Sequence, residues 1–351
     1  MKLSQHFRCS FHIFPALGPV EQGVDDKLSD QHGNADKEGA VYSEHQLSQI
    51  VPPSDETPPF ITPTDLNKLP VHIRPDSEEV YPMTARPRGI ALIINNETFN
   101  PSKELTKKEL EREKLETRLG SDKDIAALEK LFGALDFKVK TKRDIGREDF
   151  LKALDDVSSE NHEAYSCFAL CLMSHGEEGL FYCADGQTVP IETIQDFFSN
   201  SQCTTLRGKP KLFFIQACRG RQKEKGVVKD SPSSNESETS TVDEEGEQKE
   251  DEELTDRGWN FSFQQIIPDH ADMLMAYSTV TGYASFRNPR EGSRFVRCLV
   301  EVFQEKAGYE DVLSMLTMVN ERIGNMGEID SKQVGQPTST LTKKLFFWPG
   351  L

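Results

Sequence analysis

The sequence predicts an α/β fold with a mostly parallel central sheet flanked by helices, and three observations carry that expectation. The uninterrupted apolar runs at 90–94, Cys167–Met173 and 212–215 are too short for core helices and suit interior strands buried on both faces. Segments with apolar residues at helical spacing lie between them. Strand, helix, strand, helix, strand in that order implies parallel pairing through right-handed crossovers.

In chain order, residues 1–80 mix Pro, Ser, Asp and His with few periodic apolar positions, and Pro52-Pro53, Pro58-Pro59 and Pro63 break any helix. This reads as a flexible prosegment. The first buried strand comes within residues 88–96, then a charged connection over 104–114. Ser121 reads as an N-cap with Asp122 and Asp124 in the first turn, leading Ile125, Leu128, Leu131, Phe132 and Leu135 at helical spacing. Residues 137–141 alternate as a second strand, 147–157 repeat a helix, and Cys167–Met173 is the third strand. A helix at 191–198 precedes the strand at 212–215. Residues 221–257 are polar and without core positions, and so solvent-exposed. Structure resumes near Gly258, with a strand at Met273–Tyr277, helices at 295–302 and 312–323, and a last strand at 341–348.

Composition narrows the class of function. A net charge of −17 opposes binding to nucleic acid or an acidic membrane through a general basic field. No run approaches the ~18 apolar residues of a membrane helix. Seven cysteines, an odd number without a paired C-x-x-C, argue against a disulfide framework or structural zinc and point to a reducing cytoplasmic compartment. No metal or cofactor is expected.

The chemistry centres on two strand ends. Gln216-Ala-Cys-Arg-Gly220 follows one apolar run, and Ser174-His-Gly-Glu-Glu-Gly179 follows another; ligands and catalytic groups of open α/β sheets gather at such edges. A thiol attacks an amide carbonyl as its anion, and a neighbouring imidazole can take the proton and later hand it to the leaving amine. The pentapeptide, with a histidine about 50 residues upstream, is a recognised caspase signature. His175 lies 43 residues before Cys218. From about Arg88 to Leu351 the chain thus resembles the caspase family of cysteine peptidases.

That resemblance implies a three-layer caspase-like fold built from a large subunit, 81–230, and a small one, 258–351, joined by an acidic intersubunit linker, 231–257. It implies Cys218 as nucleophile, His175 as acid/base, the N–H groups of Gly176 and Cys218 as oxyanion donors, and the carbonyl of Glu116 as the group orienting the imidazole. Arg118, Gln216 and Arg287 match the pocket that receives aspartate before the scissile bond; Ser285, Ala284, Phe286 and Asn288 belong to the same substrate-binding stretch. Arg294 stands where many members have tryptophan, which favours an acidic residue at the fourth substrate position. Arg219 is expected to pack on Tyr277, a cation–π contact.

Between Ser231 and Asp256 eleven acidic residues face one lysine. An aspartate-directed enzyme would cut itself there, with Asp230, Asp243 and Asp256 as processing candidates, and Asp26, Asp30, Asp36 and Asp55 in the prosegment. By resemblance, Phe346, Phe347 and Trp348 lie on a last strand at the interface of a homodimer. Expected partners are proteins with exposed aspartate sites, together with inhibitor or adaptor proteins. The alternatives are a catalytically silent caspase-like scaffold that regulates an active relative by heterodimerisation, and a basic-specific peptidase of the same fold, which the two pocket arginines oppose.

Overall fold

The structure is a computed structural model, and it describes residues 60–70, 73–100, 115–226 and 267–351. The expected connection at 104–114 and the candidates Asp230, Asp243 and Asp256 lie outside the described residues, as do the prosegment aspartates.

Six strands form one sheet. We number β1 (Gly89–Asn95), β2 (Lys138–Arg143), β3 (Cys167–Met173), the short β4 (Gly176–Glu177), β5 (Leu180–Tyr182) and β6 (Thr188–Pro190), then β7 (Lys211–Gln216), β8 (Met273–Tyr277), β9 (Arg287–Asn288), β10 (Gly292–Ser293) and β11 (Gln336–Ser339). The sheet order is β11-β8-β7-β3-β1-β2. All neighbours run parallel except β11, which is antiparallel to β8. Strands β1, β3 and β7 are buried at every position, as their continuous apolar runs require.

The helices are α1 (Ser121–Ala134), α2 (Arg147–Ser158), α3 (Ile191–Asp196), α4 (Arg294–Lys306) and α5 (Val312–Gly324). Because successive strand residues face opposite ways, Ala91, Ile93, Ala169, Cys171, Leu212 and Phe214 meet α1, α4 and α5 on one face. Ile90, Leu92, Phe168, Leu170, Phe213 and Ile215 meet α2 and α3 on the other. The result is the expected three layers.

Four expectations change. Ser121 is the first residue of α1, whose N-cap is Gly120 in the left-handed region at φ 88°; a Cβ there would stand 2.6 Å from the Pro289 carbonyl oxygen, so glycine is required. Residues 341–348 form no strand. The apolar run had signalled burial and not pairing: Phe346, Phe347 and Trp348 fill this chain's own core at 2%, 0% and 1% exposure, and β11 takes the sheet edge. Residues 221–226, expected to be wholly solvated, are tied by bridges from Gln222 to Tyr283 and from Glu224 to Lys332.

The fourth change concerns residues 60–80, placed in the flexible prosegment. Ile61, Leu69 and Val80, with Tyr81, belong to the core around α4 and α5. Irregular backbone holds them there: Thr62 N–H donates to Gln304 O at 2.8 Å, Thr64 N–H to Pro349 O at 2.8 Å, and Tyr81 Oη donates to the buried Asp272 carboxylate at 2.6 Å. A chain starting at residue 82 is therefore expected to melt about 10 °C below one starting at 57, since each buried side chain contributes about 1.5–3 kcal/mol before the cost of ordering the strap. Matched thermal scans of the two chains check this; equal midpoints would contradict it.

Candidate active site

The sheet register brings the thiol and imidazole together. Met173, the last residue of β3, pairs with Gln216, the last residue of β7. His175 and Cys218 are each the second residue beyond those strand ends, and neighbouring strands lie only about 4.8 Å apart. Both line one cleft of about 220 Å³ with Leu115, Gly176, Glu177, Tyr182, Gly220, Arg221 and Ala284. Cys218 is half-buried, whereas the other five cysteines among the described residues are buried. Burial pushes the Cys183 thiol up to about 12, and those of Cys167 and Cys171 upward as well.

The imidazole is held in one sense. His175 Nε2 lies 2.7 Å from the Glu116 carbonyl oxygen. A carbonyl only accepts, so Nε2 carries the proton and the lone pair of the neutral ring sits on Nδ1. The Phe99 ring tilts against it at 4.9 Å between centroids. Burial, outweighing the Glu116 contact and helped by Arg118 and Arg287, holds the imidazole below its usual range. The neutral form that accepts a proton therefore persists to lower pH than for a free histidine. The acid limb of kcat/KM against pH is expected below about 6.5; a limb above 7 would contradict this.

Gly176 packs against the Cys218 backbone: a Cβ there would meet Cys218 O at 2.7 Å and Ala217 Cβ at 2.8 Å. Ser285 N–H points at Cys218 Sγ from 3.4 Å, a donor that complements a thiolate.

Two cationic side chains act on the thiol, Arg118 buried and Arg287 half-buried. Arg118, 1% exposed, donates through Nη1 to Asn95 Oδ1 at 3.0 Å and to Asn96 O at 2.9 Å, residues at the end of β1. Its Nη2 and the buried Gln216 Oε1 find no partner among the described residues. Gln216 Nε2 donates to Ser285 Oγ at 2.7 Å; a half-turn of the amide would aim that donor into the pocket and leave Oε1 to accept from the hydroxyl. Arg287 is fixed by a bond from Nε to Leu119 O at 2.9 Å. Burial first, and Arg287 second, lower Arg118 to about 9, which leaves it charged at neutral pH. Two guanidinium groups stand near an accessible sulfur, and one of them keeps a buried donor with no partner among the described residues, an arrangement suited to an anionic group.

The comparison with known families decides what this arrangement belongs to: the profile described as Caspase domain matches residues 88–346. The chain is a member of the caspase family. It is 35% identical over 277 residues to caspase-8 of Mus musculus, covering 78% of this chain and 54% of that protein. It therefore spans about half the length of that relative. It is 38% identical over 275 residues to caspase-7 of Gallus gallus, covering 76% and 79%. To caspase-3 of Mus musculus it is 35% identical over 276 residues, covering 76% and 87%.

In this caspase-family chain the remaining named residues fall around the same edge. Arg219 lies 4.1 Å from the Tyr277 ring centroid and donates to Gln336 Oε1, joining the Cys218 loop to β8 and β11. Arg294 stacks at 4.6 Å on Phe286 and donates to Ser331 O. With Phe286, Arg287, Asn288, Arg297 and Met326 it lines a second cleft of about 400 Å³. Asn288 Oδ1 accepts from Arg290 N–H at 2.8 Å.

Some contributors escaped the sequence reading. Asp124, read only as a first-turn acid, is 2% exposed, accepts from Ser293 N–H at 2.8 Å, and faces the Arg118 and Arg287 charges. Burial nonetheless pushes its carboxyl up. Gln333 accepts from Phe286 N–H at 3.0 Å and donates to Ser278 O at 2.7 Å, fixing the substrate-binding stretch. The Asn95-Asn96 pair at a strand's C-terminal end was the one visible signal. Among the described residues no helix is long and apolar enough to cross a membrane.

Proposed function

We propose that this chain is an aspartate-directed cysteine endopeptidase, made as a zymogen and acting in apoptosis or inflammatory signalling in the cytoplasm. The observation that carries the reading is the buried Arg118 Nη2, which has no partner among the described residues and lies near Arg287 and Cys218. A substrate carboxylate there satisfies a donor that is otherwise costly to bury.

In the proposed cycle His175 Nδ1 takes the thiol proton and Cys218 Sγ attacks the carbonyl carbon. The N–H groups of Gly176 and Cys218 receive the developing oxyanion. Collapse breaks the C–N bond, the imidazolium gives its proton to the leaving amine, and water, deprotonated by the same ring, hydrolyses the thioester.

Cleavage after Asp230, Asp243 or Asp256 would leave Cys218 and Arg287 on separate pieces. The five-residue parallel pairing of β7 with β8, from Lys211↔Met273 to Ile215↔Tyr277, supports their staying together. The open edge at β11 supports a homodimer of catalytic units. Protein substrates with exposed aspartates are the expected partners, with inhibitor and adaptor proteins as further ones.

The test is hydrolysis of tetrapeptides ending in Asp, Glu, Asn or Arg, with Cys218→Ala as control. Rapid cleavage after Asp alone supports the reading; equal rates, or rates that survive the control, overturn it. At the fourth substrate position Arg294 and Arg297 favour an acid, so Asp there is expected to be cleaved several-fold faster than Leu, by roughly the worth of an exposed ion pair. Arg294→Trp should reverse that order. An aliphatic preference in the unaltered protein would count against this role of Arg294.

A further inference from the structure

The cleft at Cys218 holds a charge pair that the acid–base chemistry does not use. Glu177 follows Gly176, Arg221 follows Gly220, and Arg221 Nη2 lies 3.5 Å from Glu177 Oε1. Both side chains line the cleft with His175 and Cys218, whereas Arg118, Gln216 and Arg287 do not. The backbone around Arg221 is fixed on either side. Arg219 N–H donates to Tyr283 O at 3.0 Å, Gly282 N–H to Arg219 O at 2.7 Å, Gln222 N–H to Gly282 O at 3.2 Å, and Ala284 N–H to Gln222 O at 2.8 Å. Gly220, at φ 155°, sits so close to Gly282 that a Cβ would fall 2.2 Å from its carbonyl oxygen. The charged head nonetheless stays 75% exposed.

The leaving amine must come within reach of His175. Chain beyond the cut bond therefore crosses the cleft that His175 shares with Glu177 and Arg221. We propose that Arg221 is a specificity determinant on the leaving-group side, selecting substrates with acidic residues in the first positions after the cleaved bond. This rests on the peptidase reading above and names the substrate class of the same site.

The surrounding charges are mixed, and their arrangement favours the cation. Glu177 meets Arg221 in an exposed pair, which contributes little and exchanges readily with a substrate carboxylate. Glu178 is exposed on the adjoining turn. Arg221, Lys223 and Lys225 are exposed, as is Gln222, so three cations stand on the short run that the bridges at Gln222 and Glu224 tie down. Glu224 is partly covered, and its Oε2 has no partner among the described residues.

The experiment uses the full chain and peptides that share one sequence up to Asp-Gly and then continue with Glu-Glu, Ala-Ala or Lys-Lys. Every rate is divided by that for a coumarin amide with the same residues before the bond and no peptide after it. The acidic peptide is expected to be cleaved about fivefold faster than the alanine one, the ceiling for an exposed ion pair. The basic peptide should be slowest, and the ratios should flatten with salt. Arg221→Glu should reverse the order, and Glu177→Gln should widen the acidic preference. Peptides copied from this sequence make a natural pair: Asp243 precedes Glu244 and Glu245, whereas Asp256 precedes Arg257. The first should be cut faster by the unaltered protein and slower by Arg221→Glu. Normalised ratios that Arg221→Glu leaves unchanged, or a preference for lysine in the unaltered protein, overturn the assignment. Loss of coumarin hydrolysis in the unaltered protein instead sinks the peptidase reading on which it rests.

Discussion

Exchanging Arg118 for methionine is expected to lower kcat/KM for aspartyl peptides by about 10²–10³, since stranding one member of a buried charge pair costs about 2–5 kcal/mol. The side chain is 1% exposed, and Asn95 and Asn96 already hold its other terminal nitrogen in place. Lysine should not rescue it, because one ammonium cannot keep both the Asn95 contact and the ligand in the geometry of a planar fork. Peptides ending in asparagine lack the charge and should lose much less. The ratio of Asp to Asn hydrolysis therefore collapses in the variant, which separates loss of charge recognition from general damage. A variant that keeps that ratio would remove Arg118 from the pocket.

A single added methyl group at Gly176 is expected to be nearly as damaging. Alanine there would place Cβ 2.7 Å from the Cys218 carbonyl oxygen, against backbone that cannot swing aside as a flexible side chain could. The Cys218 loop must move, and with it the N–H groups of Gly176 and Cys218 proposed as oxyanion donors. Loss of one oxyanion donor costs about 10²–10³ in kcat. KM should change little, since the Arg118 pocket is untouched. Steady-state kinetics and a thermal scan distinguish this from unfolding: a folded protein with low kcat supports the account, and near-normal kcat contradicts it.

The interior strands were legible because burial on both faces forces an unbroken apolar run, and β3 matched its expected bounds. The same rule misled at residues 345–348, where Leu-Phe-Phe-Trp is buried without pairing. Composition also misled at 60–80. Proline limits this segment to a single 3-10 turn at Leu66–Lys68, yet Ile61, Leu69 and Val80 still reach the core on otherwise irregular backbone tied by isolated hydrogen bonds. Residues on strand ends, His175, Cys218 and Gln216, could be read because strand position and motif coincide in the chain. Asp124 and Gln333 could not. Their partners, Ser293 and Phe286, lie far away in sequence, and only packing reveals that they support the pocket. Arg88 is a similar case: fully buried, it donates to Met83 O and Trp348 O, where the sequence showed only a charged residue before a strand.

The proposed recognition has one accessible sulfur, the buried Arg118 guanidinium and the half-buried Arg287 guanidinium read a single aspartyl side chain. Its most direct test is covalent labelling of the native chain with peptidyl acyloxymethyl ketones that differ only in the terminal residue, Asp or Lys, and then peptide mapping. One adduct, on Cys218, is expected from the aspartyl reagent alone. Modification of a different cysteine, or equal labelling of Cys218 by the lysyl reagent, would contradict it.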